Sequence, residues 1–332
     1  MMWTESFSAL LWMGLPVLGG YILWQSTLCK TDAGEDKAAS LARILALFGI
    51  VVATPPMLCL IFWVNTLSVD RALLLCTVGV CVQGSGSLAG WLIGRWARLP
   101  AVDRASFFLG GASSNVLTFG GITVVLLLSS AEDPYAEISL ADLMIYRLLE
   151  SPYYYVIAWP LAASIAGADH SGPVRFREHV RDAVRGPNMA PIVGIAAGVV
   201  LSLLGIPRPE MLDGTAEILV KLAIVVLGIS VGIGLRRAAP LRHLKACLCI
   251  SAIKFLLMPL VAISMALLLG FDGRTLQVIL IAACMPVAFM AVVGATLYRL
   301  DVELVGSFWV FTTTGMIVVV PLLSAIIGLI AK

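Results

Sequence analysis

Two long apolar stretches of this chain are each interrupted near the middle by residues that weaken or break helices. The interrupting residues are Ser113, Ser114, Asn115, Gly120 and Gly121 in the first stretch, and Met285, Pro286 and Gly294 in the second. A helix broken at bilayer depth exposes backbone groups that lipid cannot satisfy, so each break must line a protein cavity or a water-filled path. Paired breaks of this kind are typical of substrate sites in membrane carriers.

The first break carries polar side chains that could hold an anion. Asn115 offers two donors and an acceptor, while Ser113, Ser114 and Thr118 offer hydroxyl groups. The freed N–H groups of a half-helix carry roughly half a positive charge, which favours a carboxylate. The alternatives are a helix–helix hydrogen bond or a cap for Asn115, and hydroxyl bonds to the carbonyls of the same helix for the other three residues.

The second break offers backbone groups and apolar surface. Pro286 has no N–H and displaces a carbonyl four residues earlier, so the Ala282 carbonyl is expected to become an available acceptor. Met285 stands beside it. We predict that these residues shape the substrate pocket, while the charged group of the substrate is held at the first break.

Lys254 is a basic residue inside a predicted membrane span. A bare charge at that depth costs a few kcal/mol on insertion scales, so the side chain is expected to face a cavity or a carboxylate. Two roles remain open at this point. Lys254 either takes part in substrate binding or coupling, or it ties helices together through a buried acid or backbone carbonyls.

Composition indicates an all-α integral membrane protein. Of 332 residues, 60% are hydrophobic and only 13% are charged, about half the charged share of soluble domains. The net charge of +2 gives no reason to expect a nucleic-acid partner. The seven cysteines and three histidines show no metal or disulfide spacing, and no catalytic motif is present. We therefore predict no metal, no cofactor and no enzymatic activity.

Ten apolar runs are long enough to span a bilayer. They lie near 7–25, 42–64, 72–94, 105–128, 143–165, 189–204, 215–235, 243–269, 275–298 and 303–330. Fifteen of the 22 basic residues fall in the connections on one side and four on the other. Since cytoplasmic loops carry the excess of Lys and Arg, both termini are predicted to lie on the non-cytoplasmic side.

The longest connection divides the chain into two halves of five spans. We predict a first repeat over residues 1–165, a basic cytoplasmic linker over 166–188 and a second repeat over 189–332. An odd number of spans in each half places the halves in opposite orientations, as in an inverted repeat. A proline followed by glycine near the start of both halves, at Pro16 and Pro191, supports the pairing.

Several segments resemble the auxin efflux carrier family, which includes PIN-like carriers and bacterial dicarboxylate permeases. The segments are PIVGIAAGVVLSLLG from Pro191, LAIVVLGISVGIGL from Leu222, KFLLMPLV from Lys254, ACMPVAFMAVVGATLY from Ala283 and FFLGGASSNVLTFGG from Phe107. One departure is Ile122, which stands where the family often has proline. The first break in this chain therefore rests on Asn115, Gly120 and Gly121.

The resemblance implies about ten transmembrane helices, with the fourth and ninth broken and crossing near the midplane inside a domain that moves against a scaffold. It further implies a permease for small organic anions in a bacterial-type inner membrane. The lipid bilayer and the anion are the expected partners, and a homodimer remains open. The alternatives are a sodium-coupled symporter of the bile acid type and a non-transporting receptor with the same fold. Sodium needs several oxygen ligands, whereas the side chains around Pro286 are apolar.

Overall fold

The described part of the chain is helical and contains no strand. The computed structural model describes residues 15–23, 25, 32–63, 69–128, 137–171, 181, 186, 189–212, 215–234 and 238–330. Its helices are α1 (15–23), α2 (Asp32–Phe48), α3 (Thr54–Phe62), α4 (Val69–Trp96), α5 (Ala101–Ala112), α6 (Gly121–Leu128), α7 (Glu137–Tyr146), α8 (Glu150–Pro152), α9 (Trp159–Ser171), α10 (Ala190–Leu203), α11 (Thr215–Gly234), α12 (Leu244–Ala252), α13 (Met258–Leu268), α14 (Gly273–Ala283), α15 (Phe289–Leu297) and α16 (Val302–Ile330).

Four stretches of the described residues are long and apolar enough to cross a membrane: Ser40–Leu60, Asp70–Trp96, Leu244–Leu268 and Val302–Leu329. Ala190–Leu203 and Gly273–Ala283 are shorter apolar helices. The predicted all-helical membrane protein is confirmed at this level. The count of ten spans and the five-plus-five repeat stay predictions, and most of the predicted linker lies outside the described residues.

One group of helices is held together by close backbone approaches at glycine. Gly20 of α1 lies against the Ile229 backbone of α11, and Gly194 of α10 lies against the Pro55 backbone of α3. A Cβ atom at either glycine would clash with a neighbouring carbonyl. Small residues permit such close helix packing in membranes, where apolar surface gives little driving force for association. Helices α2 and α11 also pack together, so α1, α2, α3, α10 and α11 form the first helix group.

The second helix group contains the two interrupted segments. Helices α4 and α5 run antiparallel, with Gly86 against Gly111 and Gly90 against Phe107. Helices α7, α9, α12, α13, α15 and α16 contact this pair, and α14 packs against α7 and α13. The apolar residues of this group are mostly buried, with Phe308 and Trp159 among the largest fully buried side chains.

Three short π-helical segments lie close to the interruptions. They span Val116–Gly120, Tyr153–Ala158 and Ile253–Leu257. A π-helical turn inserts an extra residue into the helix and often occurs at functional sites. The last two segments contain Tyr154 and Lys254, whose contacts with the first break are described below.

Candidate functional site

The first break begins where α5 ends. Residues Ser113 to Asn115 are not helical, and Ser113 has an extended backbone with φ −103° and ψ 130°. The Ser113 hydroxyl donates to the Leu109 carbonyl at 3.1 Å, within its own helix. Ser and Asn compete with the backbone for hydrogen bonds, which weakens a helix at such a run. For Ser113 the predicted alternative, a bond within its own helix, is what the structure shows.

The second break begins where α14 ends. Cys284 forms a turn, Met285 to Ala288 are not helical, and α15 begins at Phe289. Pro286 explains the interruption because it lacks an N–H and disfavours a helical residue before it. The Ala282 carbonyl, expected to be free, accepts from the Met285 N–H at 3.4 Å.

The two breaks pair with each other through their backbones. The Asn115 N–H donates to the Pro286 carbonyl at 2.8 Å, and the Ala288 N–H donates to the Ser113 carbonyl at 3.4 Å. The Val287 N–H donates to the Thr312 hydroxyl of α16 at 3.1 Å. Each break thus supplies partners for backbone groups that lipid would leave unsatisfied. The pairing brings the Asn115 backbone into contact with that of Pro286.

Three glycines predicted as break positions lie in helical segments instead. Gly120 ends the π-helical turn, Gly121 begins α6, and Gly294 lies inside α15. At Gly294 an added Cβ would lie 2.5 Å from Nε1 of Trp159, so glycine allows that ring to approach the helix. An added Cβ at Gly120 would make ordinary contact with Met285, 3.5 Å from its Cγ. The corrected limits of the breaks are Ser113–Asn115 and Cys284–Ala288.

Lys254 reaches the first break from the π-helical segment between α12 and α13. Its side chain is 0% exposed, and its ammonium donates to the Ser114 hydroxyl at 2.9 Å and to the Gly111 carbonyl at 3.1 Å. Both acceptors are neutral. Within the described part of the chain, Lys254 forms no ion pair. The Lys254 amino group therefore lies beside the first break without a carboxylate in contact among the described residues.

A second set of buried polar groups also contacts Ser114. The Tyr154 hydroxyl accepts from the Ser114 N–H at 2.8 Å and donates to Glu150 Oε1 at 2.8 Å. Glu150 Oε2 accepts from Arg147 Nε at 2.9 Å, and both side chains are buried. We call Ser114, Arg147, Glu150, Tyr154 and Lys254 the buried polar network.

Three buried side-chain atoms in or near the network lack a hydrogen-bond partner among the described residues. They are Nδ2 of Asn115, Oε1 of Gln83 and Nη1 of Arg147. Asn115 is only 4% exposed, so its missing hydrogen bond is costly, since a buried unsatisfied group costs about 1–3 kcal/mol. An unpartnered amide donor next to a buried ammonium is suited to a bound anion.

The predicted site residues divide into three sets. Asn115, Ser114, Pro286 and Lys254 come together, and Met285 lies beside them with its side chain near Gly120. Ser113 contributes its carbonyl to the pairing but uses its hydroxyl locally. The Thr118 side chain lies outside the described residues. Among those described, no group of three or more His, Cys, Asp or Glu side chains could hold a metal ion.

Sequence reasoning paired Arg147 with Glu150 but placed neither at the site. The structure connects both to the first break through Tyr154, which the sequence interpretation did not single out. The available signal was an acid followed four residues later by a tyrosine in an otherwise apolar run. Residues at i and i+4 share a helix face, so the pair could have been found.

These elements define the protein as an all-helical integral membrane protein with a buried polar site at two paired helix breaks. Residues 173–324 match the family model described as "Membrane transport protein". The chain is also 26% identical over 320 residues to an uncharacterized transporter of Methanothermobacter thermautotrophicus, a match covering 94% of this chain and 95% of the relative. The resemblance to the auxin efflux carrier family is confirmed, and both matches support a transporter.

Proposed function

We propose that the protein is a secondary active or facilitative permease for small organic anions, carboxylates in particular, that works by alternating access. The observation that carries the proposal is the pair of donors at the first break. Among the described residues, the Lys254 amino group has no carboxylate in contact and Asn115 Nδ2 has no hydrogen-bond partner. One anionic group placed between them would pair with the ammonium form of the first and satisfy the second.

We call the place where the two breaks pair the crossover. The charged residues around it favour an anion over a cation as the substrate. Arg147 and Glu150 neutralise each other, which leaves Lys254 as the basic group that an anion can pair with. Buried charges in membrane proteins pair with one another, pair with backbone carbonyls or mark a substrate path. The N-terminus of α15 also begins at the second break, and its partial positive charge adds to the attraction.

Reciprocal contacts between the halves support an inverted repeat over 1–165 and 189–332. The first span of each proposed half packs through glycine on the second span of the other: Gly20 on Ile229, and Gly194 on Pro55. The break residues also exchange backbone hydrogen bonds in both directions. In the proposed cycle the second helix group carries the site and shifts against the first helix group. The termini face away from the cytoplasm of a bacterial-type membrane.

Flux in proteoliposomes tests the proposed function. Purified protein is reconstituted into liposomes, and ¹⁴C-labelled pyruvate, succinate, citrate or benzoate is added to the external solution. Labelled glycerol and choline are the neutral and cationic controls. We expect saturable uptake of at least one carboxylate and of neither control. Uptake is measured with sodium chloride and with choline chloride as the external salt. Uptake that occurs only with sodium chloride would favour the sodium-coupled symporter of the bile acid type. Absence of saturable carboxylate uptake, with monodisperse protein, would contradict the proposal.

A further inference from the structure

The contacts of Lys254 bear on what accompanies the anion. We propose that the anion enters together with one proton, which is taken up by the Lys254 amine. This inference rests on the proposed function and extends it to the coupling ion. Before binding, Lys254 is a neutral amine; when the anion arrives, the amine takes one proton from water and becomes the ammonium that faces the anion. The charge of the site does not change over this step.

The first step of the reasoning concerns the empty site. Lys254 is fully buried, and its two contacts are a serine hydroxyl and a backbone carbonyl. Neutral acceptors compensate an ammonium far less than a carboxylate does, and a lone charge at membrane depth is costly. A buried lysine avoids this cost by releasing its proton, which arginine cannot do.

The second step concerns the other titratable groups around Lys254. Glu150 is the charged group that acts on it electrostatically, but both Glu150 oxygens are already engaged, by Arg147 and by Tyr154. The middle of α4 contributes Gln83 and no charged residue, and α13 contains none. Other titratable groups described on the surrounding elements are Tyr146, Tyr153 and Tyr155 on the fifth span, Cys284 at the second break, Cys76 and Cys81 on α4, and Cys247 and Cys249 on α12.

The third step concerns the bound state. Asn115 Nδ2 is an unpartnered donor one residue from Ser114, which Lys254 contacts. An anion held there supplies the negative charge that Lys254 lacks, so binding of the anion and binding of the proton favour each other. The anion is identified only by its chemistry, as one negatively charged group able to accept from an amide and an ammonium.

Calorimetry counts the protons directly. Pyruvate, succinate and benzoate are titrated into purified protein at one pH in phosphate and in Tris, whose ionisation enthalpies differ widely. If binding takes up protons, the heats differ between the buffers in proportion to the number taken up. We expect net uptake of up to about one proton per anion in the wild type, because one amine is the acceptor.

Three variants identify the acceptor. Lys254→Arg keeps the charge permanently, so binding should persist with equal heats in both buffers. Lys254→Met should lose at least about tenfold in affinity, because the charge is gone. Tyr154→Phe should keep the proton uptake; its loss there would assign the proton to the Tyr154–Glu150 pair and overturn the proposal. Each variant is checked for monodisperse elution.

The outcomes separate the two proposals. Anion binding with equal heats in both buffers in the wild type would overturn proton uptake and leave the proposed function intact. Unchanged proton uptake in Lys254→Arg would overturn the role of Lys254 alone. No anion-dependent heat with any of the three probes, together with no flux, would contradict the proposed function and this inference with it.

Discussion

The two helix breaks use the same backbone device and differ in almost everything else. Each interrupts a helix for a few residues and donates one backbone hydrogen bond to the other. The first break adds the buried polar network and an unpartnered amide, whereas the second adds Met285, Pro286 and a backbone N–H that donates to the Thr312 hydroxyl. The backbones of both breaks satisfy each other's polar groups, and the first break carries the buried polar side chains on which the proposed anion site rests.

The largest predicted effect is loss of stability when the buried ion pair is cut. Arg147→Met leaves Glu150 without its partner, so we expect a loss of about 3–5 kcal/mol in the free energy of unfolding. Unfolding followed by size-exclusion fluorescence measures it. Arg242→Met is the matched control, because its partner Glu303 and Arg242 itself are solvent-accessible, and the loss should stay below about 1 kcal/mol. Equal losses in the two variants would contradict a structural dependence of the first break on buried charge.

The second prediction compares side chains across the crossover. Asn115→Leu removes the unpartnered donor, and we expect affinity for the transported carboxylate to fall by about 10–100-fold, corresponding to one lost hydrogen bond to a charged group. Met285→Leu conserves volume and should change affinity by less than about threefold. Ligand-dependent thermal stabilisation measures both. Comparable losses in the two variants would show that the breaks share the binding task.

The third prediction tests the corrected role of the glycines. Gly294→Ala should cost about 1–3 kcal/mol, because the new methyl meets the buried Trp159 ring. Gly120→Ala makes only ordinary contact in a helical turn, so stability should stay constant or rise by about 0.5–1 kcal/mol. The midpoints of thermal unfolding compare the two. If Gly120→Ala is the more damaging, that position needs backbone freedom and the predicted break there regains support.

The smallest predicted effect lies far from the crossover, at the start of α5. Partial burial and the nearby Asp301 raise the pKa of Asp103 above its ordinary value of 3.8, while His243 acts in the opposite direction. A raised carboxyl pKa contributes stability that is fully present below about pH 3.8 and is lost as the pH rises through the folded-state pKa.

Asp103→Asn should therefore be slightly more stable than the wild type at neutral pH. The gain is expected to stay below about 1 kcal/mol, because the group is partly exposed to solvent. Unfolding midpoints at pH 3.5 and 7 measure it, and the difference should shrink at the lower pH. A gain that grows on acidification would contradict the sign. Carboxylate flux of Asp103→Asn should be unchanged, because Asp103 lies away from the proposed anion site at the first break.

Much of the crossover was predictable because its signals are local. A run of Ser, Ser and Asn, and a proline after methionine, weaken a helix wherever they occur, so their positions follow from the chain alone. The glycines at 120, 121 and 294 were predicted as break positions but lie in helical segments, because a glycine does not show from the sequence alone which role it has. Glycine is used in membrane helices for close packing as well as for breaks, and only the neighbour decides which role applies.

The sequence by itself determined that this is an all-helical membrane protein, that two of its apolar stretches are interrupted, and that Lys254 needs a buried partner. Each of these follows from the cost of moving polar groups and charges into hydrocarbon. Only the tertiary structure decided that Lys254 meets Ser114 and that Glu150 reaches the same residue through Tyr154. The contacts of Ser114 with Tyr154 and with Lys254 join residues 40 and 140 positions apart in the chain, and such partners are chosen by how the helices pack.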